Sequence, residues 1–208
     1  RVSWRALETL AMLTMPAAAV LVALPENVVS LLFGPHWLDA APIVRWLGVA
    51  ALYQPVTYTC SWLFISQNRT GEMLRWGLIS SGLVAASIAG AVPFGPTAVA
   101  ASFSLVGLVI RLPLLFWMVG RRGPIRTMDL YQALLPSAGT ALLILVASFS
   151  LTRLGAIGPL PPVELLSLAT GLAISIAAAC YLSVPQSRRI LLELAQFRRF
   201  WQRGEVRP

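Results

Sequence analysis

The chain has 208 residues, 57% of them hydrophobic and only 12% charged, with a mean hydropathy of +0.75. A soluble core of this length cannot bury so much apolar surface, so the composition excludes an ordinary water-soluble domain and points to an integral membrane protein. The formal net charge of +8 rests on arginine alone; because the arginines sit in short connections between apolar segments, they read as orientation signals and not as a nucleic-acid surface.

In chain order, six segments each provide about 20 residues with few charges, enough to cross roughly 30 Å of hydrocarbon as helix. They are Leu7–Leu24, Pro42–Ile65, Leu74–Val92, Thr97–Val119, Tyr131–Leu151 and Val163–Val184. An open sheet would leave backbone groups unpaired in lipid, and the ten-residue alternation of a barrel is absent, so the expected fold is all-α: an integral membrane bundle of about six transmembrane helices over residues 1–185. Residues 186–208 read as a basic amphipathic tail. Within it Ile190, Leu191, Leu194, Phe197 and Trp201 share one helical face, the pattern of a segment resting on an anionic membrane surface.

Between the first two segments, Gly34 and Pro35 cannot continue a helix. The stretch Val28–Leu47 is therefore expected to turn, with His36, Trp37 and Asp39 at its rim, Asp39 as N-cap and Pro42 in the first turn of the next helix. His36 is either a solvated loop side chain or a proton sensor. Connections at alternate ends carry the positive charge: thirteen arginines fall on one side, Arg153 on the other, and Arg45 and Arg111 inside segments. Both ends of the chain are thus expected in the cytoplasm and the Gly34–Asp39 turn outside. The chain opens on Arg1 and enters a span almost at once, with no signal-peptide pattern, and reads as a piece of a longer protein.

Arg111 is the sharpest candidate for function. At eight residues before Val119 it lies about 12 Å inside its helix, where a charge costs a few kcal/mol unless it meets a cavity or a partner. Ala100, Ser104 and Gly107 fall on its face by helical spacing, and Pro113 is expected to kink the helix beside it. Arg111 and Ser104 could meet an anionic substrate headgroup, or Arg111 could snorkel to lipid phosphates or pair with an acid outside this chain. Gln54, Tyr58 and Ser61 recur at i, i+4 and i+7, a polar stripe suited either to a sugar pathway or to interhelical hydrogen bonds. Arg45 is expected to snorkel to headgroups. Pro16, Pro55, Pro113 and Pro136 lie within or near spans as bending points or as static kinks. Ser167, Gly171, Ser175 and Ala178 form a small-residue face expected to be a packing seam. Cys60 and Cys180 both lie in apolar segments, so neither a disulfide nor a metal site is indicated, and no cofactor or catalytic signature is present.

The order LTMPAAAVLVAL, LLFGPHWLDAAPIVRWL, SQNRTGEMLRWG, PFGPTAVAASFSLVGLVIRLPLL and GRRGPIRTMD resembles the C-terminal half of Wzx-type polysaccharide or O-antigen exporters, the flippases of the multidrug, oligosaccharidyl-lipid and polysaccharide superfamily. The resemblance implies one lobe of a transporter of 12–14 helices in a bacterial inner membrane, with the N-terminal lobe of the same protein as its other wall. It implies translocation of a polyprenyl-pyrophosphate-linked oligosaccharide, no enzymatic step, and neighbours among membrane lipids and the glycan polymerases or glycosyltransferases of the same pathway. Two other readings stay open. A drug–cation antiporter of the same superfamily would want an acidic residue near a span centre, and none is present. A non-catalytic membrane subunit of glycan assembly would survive loss of Arg111.

Overall fold

The computed structural model describes residues 2–122, 127–153 and 161–183, and among these residues every regular element is helical. In chain order they are α1 (Val2–Ala23), α2 (Pro25–Phe33), α3 (Ala41–Ser66), α4 (Thr70–Ala91), α5 (Pro96–Val106), α6 (Leu112–Gly120), α7 (Thr127–Arg153) and α8 (Pro162–Ser183). Short 3-10 turns over Pro35–Ala40 and Val92–Phe94 connect α2 to α3 and α4 to α5. A π-helical turn over Gly107–Arg111 joins α5 to α6. The tail from 186 onward lies outside the described residues.

Among the described residues four stretches are long and apolar enough to cross a membrane: Thr70–Phe94, Pro96–Gly120, Thr127–Ser150 and Pro162–Leu182. A fifth exists only if Leu10–Ala23 and α2, which meet at 91°, are counted as one broken span. The protein is therefore a multi-pass helical membrane protein of four or five such helices. The helix α3 has the length of a span, 26 residues, but Arg45, Gln54, Pro55 and its tyrosines and threonines keep it out of that apolar set. Its position accounts for this. It packs against α1, α2, α4, α5 and α6, so protein covers more of its surface than it covers of a peripheral helix such as α4 and it needs less apolarity.

The break after α1 follows from Pro25. The residue before a proline is driven out of the α region, and Leu24 sits at φ −126°, ψ 50°. Pro25 then opens α2, where its missing N–H is harmless. The second break is at Gly34, whose φ of +89° is open to glycine and strained for other residues. The helix α3 starts with Ala40 in the capping position and no side-chain cap. Asp39 is thus not the N-cap that its residue type suggests, because the 3-10 turn runs through it and holds it one residue too early.

The core lies between α1, α3, α6 and α7: Ala11, Met15 and Ala19 face Val56, Cys60, Phe64, Leu115, Phe116, Leu130 and Ile144. Close backbone approach accompanies it. A side chain at Gly48 of α3 would come within 2.8 Å of Val22 on α1, the small-residue contact by which helices associate where lipid supplies no hydrophobic drive. Serine and threonine hydroxyls are satisfied largely within their helices, as where Thr59 donates to the Pro55 carbonyl at 2.9 Å and Thr140 to that of Pro136 at 2.8 Å. Those bonds sit beside the prolines, and the helices run on through Pro16, Pro55 and Pro136. The face Ser167–Gly171–Ser175–Ala178 of α8 is exposed, whereas Ala169, Ala173 and Tyr181 are buried. The seam within this chain is therefore the alanine side of α8, and the serine–glycine side points outward.

Candidate functional site

The strongest concentration of polar structure within a span surrounds the π-helical turn. Pro113 has no N–H to offer the Val109 carbonyl, and the helix answers one turn earlier by widening: Leu112 N–H bonds back five residues to the Gly107 carbonyl. The stretch Pro96–Gly120 remains one span, so the proline is absorbed by a π-bulge and not by a break in the span. A π turn takes about one residue more than an α turn, which rotates the remainder of the span by about 100° relative to an uninterrupted helix.

This rotation separates residues that the helical spacing puts together. Ser104 is fully buried and donates to the Trp46 carbonyl at 2.6 Å, and Gly107 lies against the Tyr53 phenol; both face α3. Arg111 turns to α4 instead, and its Nε donates to the Ser80 hydroxyl at 2.9 Å. Arg111 is half-buried, and among the described residues no carboxylate lies within ion-pair distance of it. With Nε engaged by a neutral hydroxyl, the two terminal nitrogens keep their four N–H donors for another acceptor. Arg111 and Ser104 are therefore neighbours in sequence register but contact different helices.

Gln54, Pro55 and Tyr58 come together elsewhere, with Thr14, Ala17, Ala18 and Leu21, along an open groove of about 460 Å³ between α1 and α3. Among the described residues neither the Gln54 amide nor the Tyr58 hydroxyl has a hydrogen-bond partner, and Tyr58 is 67% exposed. Ser61 instead donates to the Thr57 carbonyl at 3.2 Å. Pro16 lines a neighbouring groove of about 530 Å³ between α1 and α8. A third groove, about 340 Å³ between α3, α6 and α7, is walled almost wholly by hydrocarbon, and Arg111 lines none of the three.

Arg69 is the residue that reading the sequence as loops and spans passes over. Its guanidinium donates to the Val119 and Met118 carbonyls at 3.1 and 2.9 Å, to Gln67 Oε1 at 2.9 Å and to Glu72 Oε2 at 2.6 Å, and lies 5.3 Å from the centre of the Phe64 ring. It thereby joins the α3–α4 turn to the C-terminus of α6, whose last carbonyls lack helical partners. The Arg–x–x–Glu spacing at the start of α4 is visible in the sequence; the partners on α6 are not. Arg45 pairs with Glu26 at 2.8 Å, which supplies the partner that snorkelling would otherwise provide. His36 is exposed. Among the described residues no group of histidine, cysteine or carboxylate side chains is arranged to hold a metal ion.

Comparison with protein-family models, curated protein sequences and solved structures finds no match to this chain.

Proposed function

We propose that this chain is the C-terminal lobe of a Wzx-type exporter that moves a polyprenyl-pyrophosphate-linked oligosaccharide across a bacterial inner membrane. The observation that carries the reading is Arg111, a guanidinium within a span whose described partner is the neutral Ser80 hydroxyl. A cation at that depth costs a few kcal/mol unless something anionic or aqueous faces it, and intramembrane charges of this kind mark substrate paths. A pyrophosphate would take the two free nitrogens of Arg111 in the paired geometry that guanidinium favours. The unpaired Gln54 and Tyr58 would offer hydrogen bonds to sugar hydroxyls along the α1–α3 groove, and the prenyl chain would remain in lipid.

In this reading α1 and α3 complete six spans, and the lobe rocks against an N-terminal lobe that closes the other wall of the pathway. Pro16, Pro55 and the π-bulge before Pro113 would be the places where the helices bend. The arginine distribution supports an orientation with the Arg69–Arg122 end in the cytoplasm and the Gly34–Asp39 turn outside.

The test is deletion of the gene in its own organism, followed by complementation with the full-length gene carrying wild-type Arg111, Arg111→Lys or Arg111→Ala. The expected result is loss of surface polysaccharide with lipid-linked oligosaccharide accumulating on the inner leaflet, full rescue by wild type, partial rescue by lysine and none by alanine. Unchanged surface glycan on deletion would overturn the reading.

A further inference from the structure

We infer that α2 is an in-plane interfacial helix that seats the corner of the bundle in the headgroup–acyl boundary of the membrane. The inference rests on geometry and on the multi-pass character of the chain, and it stands whether or not the protein is an exporter. The helix α2 leaves α1 at 91°. If α1 runs along the membrane normal, α2 runs in the membrane plane.

At about 100° per residue, eight of the nine residues of α2 fall into three arcs whose centres lie roughly 90–145° apart, and Phe33 ends the helix between the first two. Pro25 and Val29 form the first, and both are buried where α2 packs across α8 and α3. Glu26, Asn27 and Ser30 form the second, which is wholly polar. Val28, Leu31 and Leu32 form the third, with Leu31 and Leu32 50% and 67% exposed. A helix that meets only protein and water has two faces. Protein, water and hydrocarbon on three separate sides are what a helix meets when it lies flat at the membrane surface against a bundle.

Two neighbouring features set the same level. Phe33 and Trp37 are 64% and 59% exposed at the end of α2 and in the 3-10 turn beyond it, and such rings partition to the headgroup region. The Glu26–Arg45 pair, half exposed on both sides, lies on the polar arc where water reaches it. The occupant assigned to the apolar arc is therefore the lipid boundary and not a second protein.

The experiment uses the full chain with Cys60→Ala and Cys180→Ala, reconstituted in phosphatidylethanolamine–phosphatidylglycerol vesicles. Spin labels are placed one at a time at positions 26, 30, 31 and 32 through Glu26→Cys, Ser30→Cys, Leu31→Cys and Leu32→Cys, and depth is read from relaxation by oxygen against a water-soluble nickel complex. Glu26, Leu31 and Leu32 are exposed and Ser30 is partly exposed, and helical content by circular dichroism identifies any variant that fails to fold, which is then replaced by Val28→Cys. The expected result is that labels at 31 and 32 report shallow lipid at one depth while labels at 26 and 30 report water. A depth that increases steadily along the helix, by about 1.5 Å per residue, would make α2 a penetrating segment and overturn the inference. Labels at 31 and 32 exposed to water, or shielded from both reagents by another protein surface, would overturn it as well.

Discussion

The phenol of Tyr53 on α3 lies directly over Gly107, the first residue of the π-helical turn, and its hydroxyl donates to the Phe103 carbonyl at 3.4 Å. A side chain at 107 would occupy the space of that ring. The widened turn and the aromatic ring of the neighbouring helix thus fit one another, and this contact positions the helix that carries Arg111.

Gly107→Ala is expected to destabilise the protein despite the better helix propensity of alanine. Propensity favours alanine by about 1 kcal/mol, whereas overpacking against an aromatic ring costs about 1–3 kcal/mol. Thermal unfolding in detergent should show a lower transition, and adding Tyr53→Phe, which removes the nearest clashing atom, should recover part of it. A transition at or above that of the wild type would show that the ring moves aside freely.

Loss of Arg69 is expected to be the most damaging single arginine substitution. It strands two helix-terminal carbonyls and Gln67, and leaves the Glu72 carboxylate with Arg122 at 3.5 Å, in a site where the Arg69 and Glu72 side chains are only 12% and 15% exposed. Hydrogen bonds to charged groups are worth about 1.5–3 kcal/mol each, so Arg69→Ala should cost at least about 2 kcal/mol. Arg69→Lys should recover less than half, since one ammonium cannot reach both carbonyls and the carboxylate with a fixed fork.

By contrast, Glu26→Gln should change stability by no more than about 0.5 kcal/mol, because exposed ion pairs contribute little. Both partners are about half exposed, at 49% and 53%. Parallel unfolding of this variant and of Arg69→Ala measures the difference that burial makes.

Arg111→Ala should separate stability from activity. Removing a cation from within a span relieves an insertion cost of up to about 3 kcal/mol at the bilayer centre, so detergent stability should stay the same or rise. Under the proposed function, export of lipid-linked glycan by the full-length protein should fall at least about tenfold. Ser80→Ala, which frees Nε but leaves the charge, should reduce export less than Arg111→Ala.

The sequence by itself determined the class of molecule. Apolar segments of about 20 residues leave the chain helices in a membrane, since no other arrangement pairs its backbone in lipid, and Gly34–Pro35 fixed where the second helix ends. Local chemistry also gave the positions of α4, α7 and α8 nearly to their ends. The tertiary structure decided what depends on partners distant in the chain. It placed α3 at the centre of the bundle, where a helix too polar to face lipid all round is covered by neighbours. It turned α2 through 91° at Pro25, because the chain found apolar contacts on α8 and α3 that no local pattern records. It also put Ser104 on α3 and Arg111 on α4. Periodicity assumes a constant angle per residue, and a π-bulge changes that angle at the one turn where the candidate site is built.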